Sequence, residues 1–157
     1  MTPAERLAGR LALGLPALLV AGAYLAQYGF GLYPCEMCWW QRYPHFAAMA
    51  LALVGTVATP GRTWFALAAG GILASGLIGG WHAGIEYGWW EGLTACSTGP
   101  AAGAMSLDDL SAAAIIRCDR APWTLAGVSL AGFNFLISTA GALAIFALLA
   151  RRGKEHA

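Results

Sequence analysis

The residues best suited to chemistry in this sequence are its sulfurs. Cys35-Glu36-Met37-Cys38 places two cysteines at CxxC spacing just ahead of a long apolar run. CxxC thiols at a helix N-terminus ionise readily because the helix dipole stabilises the thiolate, and only the thiolate attacks a disulfide or gives up electrons. A helix beginning near Trp39 makes Cys38 the better placed of the two. Arg42 follows it by four residues and falls on the same helical face, where a guanidinium further stabilises a thiolate or an anionic acceptor beside it. Other uses of a CxxC fit less well. A zinc centre wants a second close pair of ligands. A haem attachment wants histidine directly after the second cysteine, where Trp39 stands. A staple closing so short a loop gains little stability.

The other two cysteines, Cys96 and Cys118, lie far apart, with Ser97, Thr98, Gly99, Pro100 and Gly103 after the first. Four cysteines allow three pairings, and sequence alone does not choose among them. A bridge between Cys96 and Cys118 is expected to be exposed and open to attack, as labile disulfides are; a plain loop-stabilising bridge is the competing reading. His82 and Glu86 form an i, i+4 pair at the outer end of an apolar run. Ionisable groups in such a run are functional candidates, against the plainer reading of two interfacial side chains reaching water. His45 and His82 together raise a second function, axial ligation of haem in electron transport. A membrane scaffold with structural disulfides is a third. No resident metal site is expected.

The elements that must hold these residues are set by composition. Of 157 residues, 59% are hydrophobic and 11% charged, against about 25% charged in a soluble domain. Lipid is therefore the main solvent. The net charge of +1 gives no footing for a nucleic-acid partner. A spanning helix takes roughly 20 mostly apolar residues, and four runs qualify, at about 11–33, 39–58, 63–87 and 128–150. They predict one all-α membrane domain over 1–157, a four-transmembrane-helix bundle with outer loops at about 34–41 and 88–127. The second run is the shortest, and Pro44 is expected near its first turn, where proline is tolerated. Thr59-Pro60-Gly61-Arg62 is a tight turn.

A loop as long as 88–127 in so small a protein is usually functional. Within it, Ser106-Leu107-Asp108-Asp109-Leu110 predicts a short amphipathic helix with Ser106 as cap and acidic residues in its first turn. It could lie on the membrane surface or pack on protein. Gly76 and Gly80 make a GxxxG step that lets helices approach closely. Arg6, Arg10, Arg62, Arg151, Arg152 and Lys154 fall on one side of the expected spans; Arg42, Arg117 and Arg120 fall on the other. Cytoplasmic loops carry the excess of Lys and Arg, so both termini are expected inside and all four cysteines outside. Trp39, Trp40, Tyr43, Trp81, Tyr87, Trp89 and Trp90 then form an interfacial belt on the outer side. Ala21-Gly22-Ala23 resembles a signal-peptide cleavage site, but the apolar run continues past it, which favours an uncleaved span.

Cys35-x-x-Cys38-Trp39-Trp40-Gln41-Arg42 after a first span resembles the disulfide bond formation protein B (DsbB) family. So does Cys118-Asp119-Arg120-Ala121-Pro122-Trp123 leading to Ser129 and Asn134 in a last span. The likeness runs from the first helix to the fourth. In the related vitamin K epoxide reductase family the CxxC comes after the loop pair; here it comes first. The resemblance implies a bacterial inner-membrane, quinone-dependent protein-disulfide oxidoreductase, part of the relay that keeps the periplasm oxidising. It implies a periplasmic, thioredoxin-like DsbA-type partner and ubiquinone or menaquinone from the membrane pool. Cys96 would be the sulfur attacked by the reduced partner. Cys118, released, would attack Cys35, and Cys38 would be the thiolate touching the quinone. Arg42 would hold that quinone, and His82 lies where the family tends to place a quinone-site histidine. The loop between Cys96 and Cys118 is somewhat shorter than is usual in the family, and Trp89-Trp90 precedes it.

Overall fold

The computed structural model describes residues 1–58, 60–92, 94 and 117–151. Cys96 and the helix expected from Ser106 lie outside them. Four long helices make up the body: α1 Pro3–Gly29, α2 Glu36–Val57, α3 Arg62–Glu86 and α4 Leu130–Arg151. The helix α3 packs against both α2 and α4, and α1 closes the bundle by touching the other three.

The helix bounds follow from local chemistry. Helix α1 starts eight residues before the expected position because Thr2-Pro3-Ala4-Glu5 is a capping box: the Thr2 hydroxyl accepts from the Glu5 N–H, and the Glu5 carboxylate accepts from the Thr2 N–H. It ends at Gly29 rather than near Tyr33. Gly31 turns the chain at φ +68°, and the Leu32 N–H bonds back to the Ala26 carbonyl. Helix α2 begins at Glu36, so Pro44 lies in its interior and not in its first turn. The Pro44 carbonyl faces α3 at Gly71, where an added Cβ would stand 3.1 Å from that oxygen.

Three of these helices, α1, α3 and α4, are long and apolar enough to cross a membrane. Helix α2 has the length, but Glu36, Gln41, Arg42 and His45 lower the hydropathy of its first turns. The bundle is built as a lipid-facing one. Its interior at the end carrying the chain termini is largely alanine (Ala8, Ala12, Ala48, Ala52, Ala68, Ala69 and Ala142) around Phe65, Ile72 and Ile145. Large apolar side chains such as Leu18, 75% exposed, Leu53, Leu67, Leu77, Leu136 and Leu143 point outward. Small residues let helices meet where no hydrophobic drive exists between them. The GxxxG step does this against α4: a Cβ at Gly76 would meet Ser138 and Thr139, and one at Gly80 would meet Phe135.

One element departs from the all-α expectation. Thr124–Leu125 pairs antiparallel with Val128–Ser129, in register Thr124↔Ser129 and Leu125↔Val128. The loop between them is Ala126 and Gly127, both at positive φ, 51° and 78°, as a primed two-residue hairpin turn requires. The Tyr87 hydroxyl, at the end of α3, donates to the Gly127 carbonyl at 3.0 Å and accepts from the Ser129 N–H at 2.9 Å. The chain thus enters α4 through a pinned hairpin, and the helix opens at Leu130.

Candidate active site

Cys35 is the N-cap of α2. Its sulfur accepts from the Cys38 N–H at 3.3 Å and lies 3.1 Å from the Cys38 sulfur; both cysteines are free. The cap therefore falls to Cys35, not to Cys38 as a helix starting near Trp39 would have it. The Cys35 thiol is pushed above the ordinary thiol range, first because its hydrogen is shared with the Cys38 sulfur and then by burial.

Cys118 is disulfide-bonded and fully buried. Its expected partner Cys96 is outside the described residues. The exposed position expected for this couple does not hold at Cys118, because the chain folds back over the end of the bundle and seats it beside Cys35, Met37 and Ile85, with Cys38 packed against the group. Arg117, just before it, pairs with Asp119 and holds that carboxyl below the usual carboxylate range.

His82, on the last turns of α3, completes the cluster. Its Nε2 is 3.6 Å from the Cys35 sulfur and 3.8 Å from Glu86 Oε1, and the ring also bonds to the Cys118 backbone. Its Nδ1 is 2.9 Å from the Gln41 side-chain amide. Glu86 is tied to Ser129, which caps α4 by accepting from the Gly132 N–H at 3.1 Å. A carboxylate there also faces the positive end of the α4 dipole. The Cys35, Cys38 and His82 ligand atoms all lie within 4.8 Å of one another, a set that a soft cation could in principle use, although no metal site was expected from the sequence.

Arg42, four residues after Cys38, reaches across to α1. Its guanidinium donates to Gln27 Oε1 at 2.7 Å and to the Ala23 carbonyl at 3.3 Å, both on α1, and sits over the rings of Tyr24 and Trp39 at 4.8 and 4.9 Å. It still lines, with Cys38 and His82, a cavity of 280 Å³ whose other walls include Leu18, Leu19, Leu130 and Phe133. A second cavity, of 330 Å³, has Cys35, Cys38, Arg117 and Arg120 among its lining residues. Cys38, His82 and Glu86 belong to the walls of both. Cys38 therefore borders both an apolar chamber among the helices and a basic mouth beside a disulfide-bonded cysteine.

The family model for disulfide bond formation protein DsbB matches residues 5–148. The chain belongs to the DsbB family. Neither the curated proteins nor the solved structures compared with it returned a match. Membership makes it a disulfide-forming oxidoreductase, and with its membrane-crossing helices a multi-pass inner-membrane protein.

In this DsbB-family chain the site also uses residues that were quoted from the sequence without a role. Asn134 Nδ2 donates to Gln41 Oε1 at 2.9 Å and to the Ser75 carbonyl at 3.1 Å, while its Oδ1 meets His45 Nε2 at 3.0 Å and the Ser138 hydroxyl at 2.8 Å. The Ser75 hydroxyl donates to the Gln41 carbonyl at 2.7 Å. The signal was present: amide and hydroxyl side chains within apolar runs pair with one another across helices. His45 and His82, the pair that suggested haem, are each bonded into this amide network.

Proposed function

We propose that this protein is a quinone-dependent thiol oxidase that reoxidises a periplasmic, thioredoxin-like DsbA-type dithiol protein. The reduced partner attacks the Cys96–Cys118 disulfide. Cys118, released, exchanges with the Cys35–Cys38 disulfide, and Cys38 faces the electron acceptor. The overall change converts one partner dithiol and one quinone into one disulfide and one quinol. The observation that carries this reading is the packing of Cys118 with Cys35 and Cys38 in a single buried cluster, because thiol–disulfide exchange requires the attacking sulfur to reach the bond it breaks.

The 280 Å³ cavity suits a quinone ring: its lining is mostly apolar, with a few polar groups that include Cys38, Arg42, His82, Gln41 and Glu86, the composition common to cofactor pockets. A bound quinone supplies an acceptor for two electrons and two protons. The chain's own part is to present Cys38 to that chamber, with Arg42 as the cation on its wall. Ubiquinone or menaquinone from the membrane pool fills the acceptor's part in this reading. In the same reading α2 is a fourth span, both termini are cytoplasmic on the balance of Lys and Arg, and the cysteines face the periplasm.

Anaerobic mixing with a reduced DsbA-type protein and a soluble quinone tests it. Quinol should form in step with loss of partner thiol. Thiol loss that is independent of quinone, or its absence, rejects the assignment.

A further inference from the structure

Two side-chain amides in the bundle have their orientations fixed by backbone carbonyls, which accept hydrogen bonds and cannot donate them. Gln41 Nε2 donates to the Met37 carbonyl at 3.2 Å, and Asn134 Nδ2 donates to the Ser75 carbonyl at 3.1 Å. With both nitrogens so placed, Asn134 Nδ2 donates to Gln41 Oε1, and the remaining N–H of Gln41 lies against His82 Nδ1 at 2.9 Å. A ring nitrogen facing an amide N–H must present its lone pair. In a neutral imidazole the hydrogen then resides on the other nitrogen. The far side of the ring agrees independently: Nε2 faces the Cys35 sulfur at 3.6 Å and the Glu86 carboxyl at 3.8 Å, both of them able to accept.

We propose that Gln41 is a positioning residue that locks His82 as its Nε2–H tautomer and so aims one N–H at the Cys35 sulfur. The lock decides between two uses of the cluster. The Cys35, Cys38 and His82 ligand atoms are close enough for a tetrahedral zinc-type ion, whose bond lengths imply S···N edges of about 3.5 Å and S···S edges of about 3.8 Å. The S···N separation of 3.6 Å already fits, and the 3.1 Å S···S separation needs only to open slightly. A metal-bound histidine, however, offers the metal a bare nitrogen and donates its other N–H to an acceptor. Gln41 puts a donor where that acceptor is needed. The same wiring serves exchange, and here it rests on the proposed function: when Cys96 attacks Cys118 of the Cys118–Cys35 intermediate, the Cys96–Cys118 bond forms, the Cys118–Cys35 bond breaks with its electron pair going to the Cys35 sulfur, and the Nε2–H, its hydrogen kept on the ring, bonds to that developing thiolate.

The prediction for the protein itself is spectroscopic. In reduced, ¹⁵N-histidine-labelled protein, with the resonance assigned by its loss in His82→Asn, His82 should show a protonated Nε2 and an unprotonated Nδ1. The reverse pattern overturns the proposal even if no variant folds. Gln41→Glu replaces the donor with an acceptor of the same shape and should move the hydrogen to Nδ1. That frees Nε2, so Cd²⁺ titrated into the anaerobic dithiol protein, followed by thiolate-to-metal absorption, should bind about tenfold tighter than to the parent. In a His82→Asn background the added carboxylate remains but the gain should vanish. A Gln41→Glu protein with unchanged His82 resonances, or a gain that survives in His82→Asn, overturns the lock. Quinol formation is a separate readout: its failure beside the expected tautomer rejects the proposed function and leaves the lock standing.

Discussion

The disulfide-bonded Cys118 and the free thiol of Cys35 share one buried cluster, although they lie 83 residues apart in sequence and the latter caps a helix. On the proposed reading, this packing sets the two couples side by side for exchange. The surrounding side chains set which sulfur is reached first and from which side, and this makes the site open to direct test.

Removing single sulfurs should separate the two couples. Cys38→Ser and Cys118→Ser should each lower quinone-linked oxidation of the partner protein by at least about a hundredfold, since a relay missing one member fails as a unit. The double variant Cys96→Ser/Cys118→Ser should lose the partner protein as a substrate yet still oxidise a small dithiol that enters the basic mouth to reach Cys35 and Cys38. Quinol absorbance measures both. Equal loss toward both substrates counts against two couples in series.

The two free thiols should differ in reactivity. Cys35 is 4% exposed and its thiol is held above the ordinary range, whereas Cys38 lines both cavities. A raised thiol stays protonated, and so unreactive, to higher pH. In reduced protein, alkylation at neutral pH should mark Cys38 first, and Cys35 should catch up only as the pH rises past the usual thiol range. Peptide mass mapping of a time course checks the order. Faster labelling of Cys35 at neutral pH would contradict it.

Helix approach at Gly79 should be unforgiving. A Cβ there would stand 2.9 Å from the Ala131 carbonyl oxygen and 3.1 Å from both Asn134 Nδ2 and Gln41 Oε1. Gly79→Ala should therefore cost about 1–3 kcal/mol of stability through overpacking. Gly70→Ala, with nothing within 4 Å of the new atom, should be neutral or stabilise by up to about 1 kcal/mol through helix propensity. Thermal unfolding in detergent compares the two, and the reverse order refutes this account of the α3–α4 contact.

The hairpin ahead of α4 should respond to two changes in opposite directions. Tyr87→Phe removes two hydrogen bonds to it, at about 0.5–1.5 kcal/mol each. Ala126→Gly relieves a non-glycine residue at φ 51° and should be neutral or stabilising by about 1 kcal/mol. Backbone amide exchange at Leu125 and Ser129 should speed up in the first variant and not in the second.

The large features were legible because membrane helices announce themselves by run length. Each of α1 to α4 overlaps an apolar run read from the sequence, three of them long and apolar enough to cross a membrane, and the CxxC lies at the start of α2. The errors came from local chemistry that run length ignores. The Thr2–Glu5 capping box lengthened α1, the Cys35 cap moved the α2 start forward and Pro44 inward, and a positive-φ pair at Ala126 and Gly127 made a hairpin in a region read as loop. At the site, Cys35, Cys38, Cys118 and His82 converge, but the guanidinium of Arg42 is turned to α1 by contacts with Gln27 and Tyr24 that lie far from it in sequence. Spacing along one helix could place Arg42 on a face and could not say which neighbouring helix would hold its side chain. The Gln41–Asn134 amide pair was hidden for the same reason: three helices must assemble before those atoms meet.

The two cavities that share Cys38 and His82 in their linings have a kinetic meaning. On the proposed reading, a water-borne protein and a lipid-soluble oxidant occupy their own compartments at the same time, since neither has to vacate the other's place. Excess of one should then not compete with the other, and the only traffic between them is charge.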